Sequence, residues 1–82
     1  MTRPTDFQTS DIDLTAAIMT GTGKQPAVYQ QPGQPLVTFE FVDTDAIRSL
    51  ILEYATGELV QPVKRFSACR AWLYRQAKAV RS

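Results

Sequence analysis

The chain contains no histidine. An imidazole general base, a histidine-ligated metal and a histidine pH switch are therefore excluded. It contains one cysteine, Cys69, so no intramolecular disulfide can form, which fits a reducing compartment. No run of about 18 apolar residues occurs, so no membrane-spanning helix is expected. Met1 to Ser10 is polar, carries Asp6 and lacks the apolar core of a secretory signal. The expected location is the cytoplasm. Neither sign of charge dominates: nine Lys and Arg stand against eight Asp and Glu, a net charge of +1. No internal repeat or low-complexity tract is visible.

What is present describes a small folded domain. Of 82 residues, 44% are apolar and 21% charged, too many and too few for a disordered chain. The length accommodates one domain at most. A chain of this size buries only about 60% of the surface it exposes when unfolded. Its stability must come from one small core, with little surplus to hold a strained site.

Residues 1–6 read as a tail and 7–82 as a single domain. Phe7 to Thr9 predicts a short strand. Ser10 or Asp11 caps a first helix, with Asp13 three residues after Ser10 in a variant of the capping box. Leu14, Ala17 and Ile18 form its apolar face, and Gly21 and Gly23 are expected to end it. Ala27 to Gln30 and Leu36 to Val42 read as two arms of a hairpin. Between them, Gln31-Pro32-Gly33-Gln34 has the Pro-Gly order of a type II turn, although a longer loop is compatible with it. Val37, Phe39 and Phe41 alternate with Thr38 and Glu40, the strongest strand signal in the chain. Asp43-Thr44-Asp45 caps a second helix with an apolar stripe of Ile47, Leu50, Ile51 and Tyr54, closed by Gly57. Glu58 to Val63 is extended, and whether it adds an edge strand is open. A third helix is predicted from about Lys64 to Val80, with Phe66, Cys69, Leu73, Ala77 and Val80 on one side and Trp72 flanking them.

The order β-α-β-β-α-(β)-α predicts an α+β fold of two layers: a small, mostly antiparallel sheet with helices on one face. The string Phe7-x-Thr9-x-Asp11-x-x-Leu14-x-Ala16-Ala17, a later glycine, a hairpin ending Phe39-x-Phe41 and an aromatic-led last helix resembles a small family of bacterial and phage proteins of unknown function. The resemblance spans about Phe7 to Leu73. It implies a prokaryotic or phage origin and an α+β fold, and it carries over no site residues.

The chemistry-bearing candidates mostly have structural explanations. Thr20-Gly21-Thr22-Gly23-Lys24 evokes a phosphate-binding loop. Its glycine spacing, the Gln25 after the lysine, and its place after a helix all depart from that motif. Asp11 with Asp13, and Asp43 with Asp45, each sit at a predicted helix start, where caps and the helix dipole account for acids. Cys69 falls on an apolar helical face with no histidine to activate it. Tyr54 and Trp72 read as core or core-rim aromatics. No enzyme and no cofactor are expected.

The charge distribution is the unusual feature. Residues 1–47 hold two basic and six acidic residues, a net −4; residues 48–82 hold seven basic and two acidic, a net +5. On a helical wheel, Arg70, Tyr74, Lys78 and Arg81 share one exposed stripe. Lys64 and Arg75 lie beside it, and Arg65 lies near Trp72 on the other flank. These eight residues are the candidate partner-binding surface. The expected function is macromolecular binding without catalysis, by a protein partner or by self-association. The alternative is DNA or RNA binding through the basic last helix, with Tyr74 or Trp72 stacking on bases. A pI near 7.9 lies below the value of about 9 common among nucleic-acid-binding domains. No membrane partner is expected.

Overall fold

The computed structural model describes residues 6–81. Residues 1–5 of the expected tail lie outside the described residues, and Asp6 already belongs to the first strand. The elements are β1 (Asp6–Thr9), α1 (Ile12–Thr22), β2 (Ala27–Tyr29), β3 (Thr38–Val42), α2 (Asp45–Thr56) and α3 (Val63–Arg81). The fold is the mixed α+β arrangement that the residue pattern predicts.

The sheet order is β1-β3-β2. Both outer strands run antiparallel to β3, so β1 and β2 are parallel to each other with β3 between them. Phe7 lies opposite Phe41 and Val28 opposite Phe39, which puts these side chains on the inner face. Val37, Phe39 and Phe41 are buried there with Ile18, Ile47 and Leu73 from the three helices. Each large apolar side chain so buried contributes about 1.5–3 kcal/mol. The opposite face carries Gln8, Tyr29, Thr38 and Glu40.

The hairpin loop is longer than its turn. The Gln34 N–H donates to Gln31 O at 3.1 Å, and Gly33 has φ 79°, the geometry of a type II turn. Leu36 and Val37 fall outside the strand, which begins at Thr38. Type II geometry does not match the twist of paired strands, so the chain needs extra residues before pairing resumes.

Asp11, not Ser10, caps α1: its Oδ1 accepts from the N–H groups of Asp13 at 3.0 Å and Leu14 at 3.2 Å. The helix continues through Gly21 and stops at Gly23, whose φ of 73° is left-handed. Residues 15–20 are all buried, because α1 packs against both other helices. The buried Thr15 and Thr20 donate to the carbonyls of Asp11 and Ala16 four residues back, at 2.8 and 2.7 Å, so burial leaves no hydroxyl unsatisfied.

At Gly21, α1 lies against the Leu50 side chain of α2. A Cβ there would overlap Leu50 Cδ1 and lie 3.2 Å from Gln61 Nε2. Gly21→Ala gains about 0.5–1 kcal/mol of helix preference but forces the buried Leu50 side chain to shift, at a cost of about 1–3 kcal/mol. We expect a net loss of about 1 kcal/mol, and no more than about 2.5 kcal/mol, in urea unfolding. The double variant Gly21→Ala/Leu50→Val should lose less than the sum of the two single variants. Strict additivity would place the contact elsewhere.

Thr44 caps α2 by accepting from the Ile47 N–H at 3.2 Å, and Gly57 ends it at φ 77°. Ile47 and Leu50 are buried, with Ile51 and Tyr54 packed beside them. Glu58 to Val63 adds no strand. The Glu58 N–H closes the end of α2 on Glu53 O at 2.9 Å, and Gln61 Nε2 donates to Ala17 O of α1 at 2.8 Å. The connector is thus fastened to the helical layer, away from any ladder. It leads into α3 at Val63, where the Phe66 N–H donates to Pro62 O at 3.0 Å.

Candidate functional site

Helix α3 meets the rest of the molecule along a narrow strip. Leu73 and Ala77 are its buried residues, while Phe66, Cys69 and Trp72 are half-buried against the core. Cys69 therefore packs as expected, though not fully enclosed. Val80, expected on the same side, is 36% exposed. The helix carries six Lys and Arg and no acid.

The eight candidate residues separate into three groups. Arg70 reaches along the surface to α1 and stays partly exposed: its Nε donates to Asp13 Oδ1 at 2.6 Å, its Nη2 to the Tyr74 hydroxyl at 3.1 Å, and its guanidinium lies 4.9 Å from the Tyr74 ring centroid. The Asp13 carboxylate raises the Arg70 pKa further above its ordinary value. Arg70 and Tyr74 thus form a tie between α3 and the first turn of α1. Arg65 and Trp72 lie on the other flank; Arg65 Nη2 approaches Thr20 O at 3.5 Å, and Trp72 is directed to the core. Lys64, Arg75, Lys78 and Arg81 are exposed. The spacing of Lys64, Arg75 and Lys78 keeps them within about 60° of one another around the helix. That arc is opposite Leu73, and the three span about 21 Å along the axis. Between them the outward surface is Ser67, Ala68 and Ala71, all exposed.

The aspartates at the helix starts have separate duties. Asp11 caps, Asp13 holds Arg70, and Asp43 Oδ2 accepts from Arg48 Nε at 3.0 Å. No group of three or more potential metal-ligating side chains occurs among the described residues. No described helix is long and apolar enough to cross a membrane.

A cleft of about 310 Å³ opens where α1, α2 and the start of α3 meet. Ala17, Tyr54, Leu59, Gln61, Val63 and Phe66 line it. Burial raises the Tyr54 pKa. Gln61 has its amide nitrogen on Ala17 and its oxygen buried. Sequence reasoning did not find this cleft. Its only linear trace is the apolar Leu59, Val60 and Val63, which belong to no predicted helical face.

The outer face of the sheet holds a polar triad. Tyr29 donates its hydroxyl to Glu40 Oε1 at 2.5 Å, and Gln8 Nε2 donates to the Tyr29 hydroxyl at 3.1 Å and to Glu40 Oε1 at 3.0 Å. The bond to Glu40, with partial desolvation and the carboxylate's charge, raises the Tyr29 pKa. The protonated phenol is the form the fold prefers. Its contribution to stability is present below the ordinary tyrosine value of about 10 and is lost as pH rises through the raised value. Ultraviolet titration, with Tyr29→Phe to assign the signal, should show Tyr29 ionising above that value. Glu40→Gln should lower it, and an unchanged titration would show that Glu40 is not the cause.

Comparison with protein-family models, curated proteins and solved structures finds no match to this chain.

Proposed function

We propose that this protein is a small docking domain that acts by binding a protein partner with an acidic surface through the outer face of α3. One observation supports the reading most. A 19-residue helix with six cations and no acid turns Lys64, Arg75, Lys78 and Arg81 to solvent while a narrow strip anchors it. Small residues between those cations let a partner surface approach closely. The acids Asp45 and Glu53 are exposed on α2, and the whole-chain charge is only +1. A long polyanion would therefore meet repulsion beyond α3, whereas a local acidic patch would not. Arg70 engages the Tyr74 ring and hydroxyl, which also weakens the case for base stacking there.

The test is affinity capture from a lysate of the source organism after nuclease treatment, with the protein and with Arg75→Glu/Lys78→Glu as parallel baits. A protein held by the first bait and lost by the second supports the reading. Tight anisotropy binding of labelled DNA or RNA that falls steeply with salt, with no nuclease-resistant protein recovered, overturns it in favour of nucleic acid.

A further inference from the structure

We infer that the cleft between α1, α2 and the start of α3 is a binding site for a small neutral ligand. The ligand has an apolar body about the size of two fused rings and carries one N–H or O–H donor, which Gln61 receives. The site is separate from the docking face, since Lys64, Arg75, Lys78 and Arg81 form none of its lining.

The walls select an apolar, uncharged body. Ala17, Tyr54, Leu59, Val63 and Phe66 make most of the lining. Val63 is 77% exposed, so apolar surface stands in water where a ligand would cover it, and covering it is favourable. The volume limits the size. A closed apolar cavity of about 150 Å³ accepts benzene. The cleft holds about 310 Å³, roughly twice that, which accommodates a bicyclic molecule. Among the described residues, none that carries a charge lines the cleft. A charged ligand would leave water with no counter-charge to meet it, which is strongly unfavourable.

The polar groups of the lining select a donor. Gln61 Nε2 already donates to Ala17 O at 2.8 Å, while Gln61 Oε1 is buried with no hydrogen-bond partner. A buried acceptor without a donor is costly, and most such atoms in folded proteins are satisfied. The terminal torsion of a glutamine is broad, so a small turn about it brings Oε1 to a donor in the cleft while Nε2 stays on Ala17 O. The end of α2 is the second polar element, because Gly57 also lines the cleft. Its N–H is taken up by Glu53 O and Tyr54 O, and the last turn of α2 holds no basic residue. The partial negative charge of a helix C-terminus is therefore not offset by a cation of that helix. No Cβ covers the Gly57 backbone, and the space where one would stand is open. Burial, followed by the charges of Asp11 and Asp13, raises the Tyr54 pKa, so the surroundings of that wall are negative too. An N–H or O–H group on the ligand meets complementary charge here; an acceptor atom in its place does not.

Indole and benzofuran test this, because they share a shape and differ in that the N–H donor of one is an oxygen acceptor in the other. Titrated into the isotope-labelled full chain and followed by amide NMR, indole should shift the backbone amides of Gly57, Leu59, Gln61, Val63 and Phe66 and the side-chain amide of Gln61. Benzofuran should bind at least about fivefold more weakly. Gln61→Met keeps the length of the side chain and removes its oxygen. That variant should bind the two probes alike, within about twofold. If it does not fold, the comparison of the two probes on the parent decides alone. No shifts at millimolar indole, shifts that map away from the cleft, or equal binding of benzofuran by the parent overturns the inference. A folded Gln61→Met protein that keeps the full preference for indole overturns it as well.

Discussion

Leu73→Ala is expected to remove about 2–5 kcal/mol of stability, the range for truncating a fully buried leucine that leaves a cavity. The residue has no exposed surface and, with Ala77, makes up the buried strip that holds α3 to the core. Domains hold about 0.05–0.15 kcal/mol of stability per residue, which for a chain of this length is about 4–12 kcal/mol. The truncation would thus take up a large part of the total. With a melting-point shift of about 4–8 °C per kcal/mol in domains of this size, thermal unfolding should move down by roughly 8–40 °C. Val80→Ala, on the same helix but 36% exposed, is the matched control and should stay within about 0.5 kcal/mol of the parent. If the two variants melt alike, α3 is not anchored through Leu73.

The second large effect is on binding. Arg75→Glu/Lys78→Glu should weaken the partner complex by at least about 100-fold, or about 2.8 kcal/mol. The variant replaces two attractions with two like-charge contacts against an acidic surface, and such contacts cost several kcal/mol. Both side chains are exposed, so the core is untouched. Removing a cation from the last turn of α3 forfeits about 0.3–1 kcal/mol of helix-dipole stabilisation, so the melting point should fall only slightly. The parent complex should weaken as salt rises, because screening at 0.1 M acts over about 10 Å. A partner bound equally by the reversed face would move the interface off α3.

These two variants separate what was legible in the sequence from what was not. Ile47, Leu50, Ile51 and Tyr54 announce a buried stripe because helical periodicity is a property of one segment, and the structure places all four against the core. The alternation through Phe39 and Phe41 works in the same way for β3. Gly21 misled because a glycine reads as a helix end, whereas here it admits Leu50 from another helix. That need arises only when α1 and α2 meet. The reading of Arg70 as part of an exposed stripe failed to anticipate Asp13, 57 residues earlier, because a helical wheel carries no information about neighbouring elements. The cleft was invisible for the same reason: its walls come from three elements and a connector, none of which forms a site alone. The basic character of α3 was fully legible, since it needs only a count. Which cations point outward was settled by where the core lies.

The strand order has a consequence for synthesis. Neither β1 nor β2 pairs with the other; each bonds only to β3, which follows both in the chain. A ribosome-bound chain that has not yet released Val42 can hold the complete α1 and both outer strands and still have no sheet. Its hydrophobic Phe7 and Val28 would lack the partners they face in the finished protein. Emergence of one five-residue segment, Thr38–Val42, supplies both ladders together, so neither half of the sheet can precede the other.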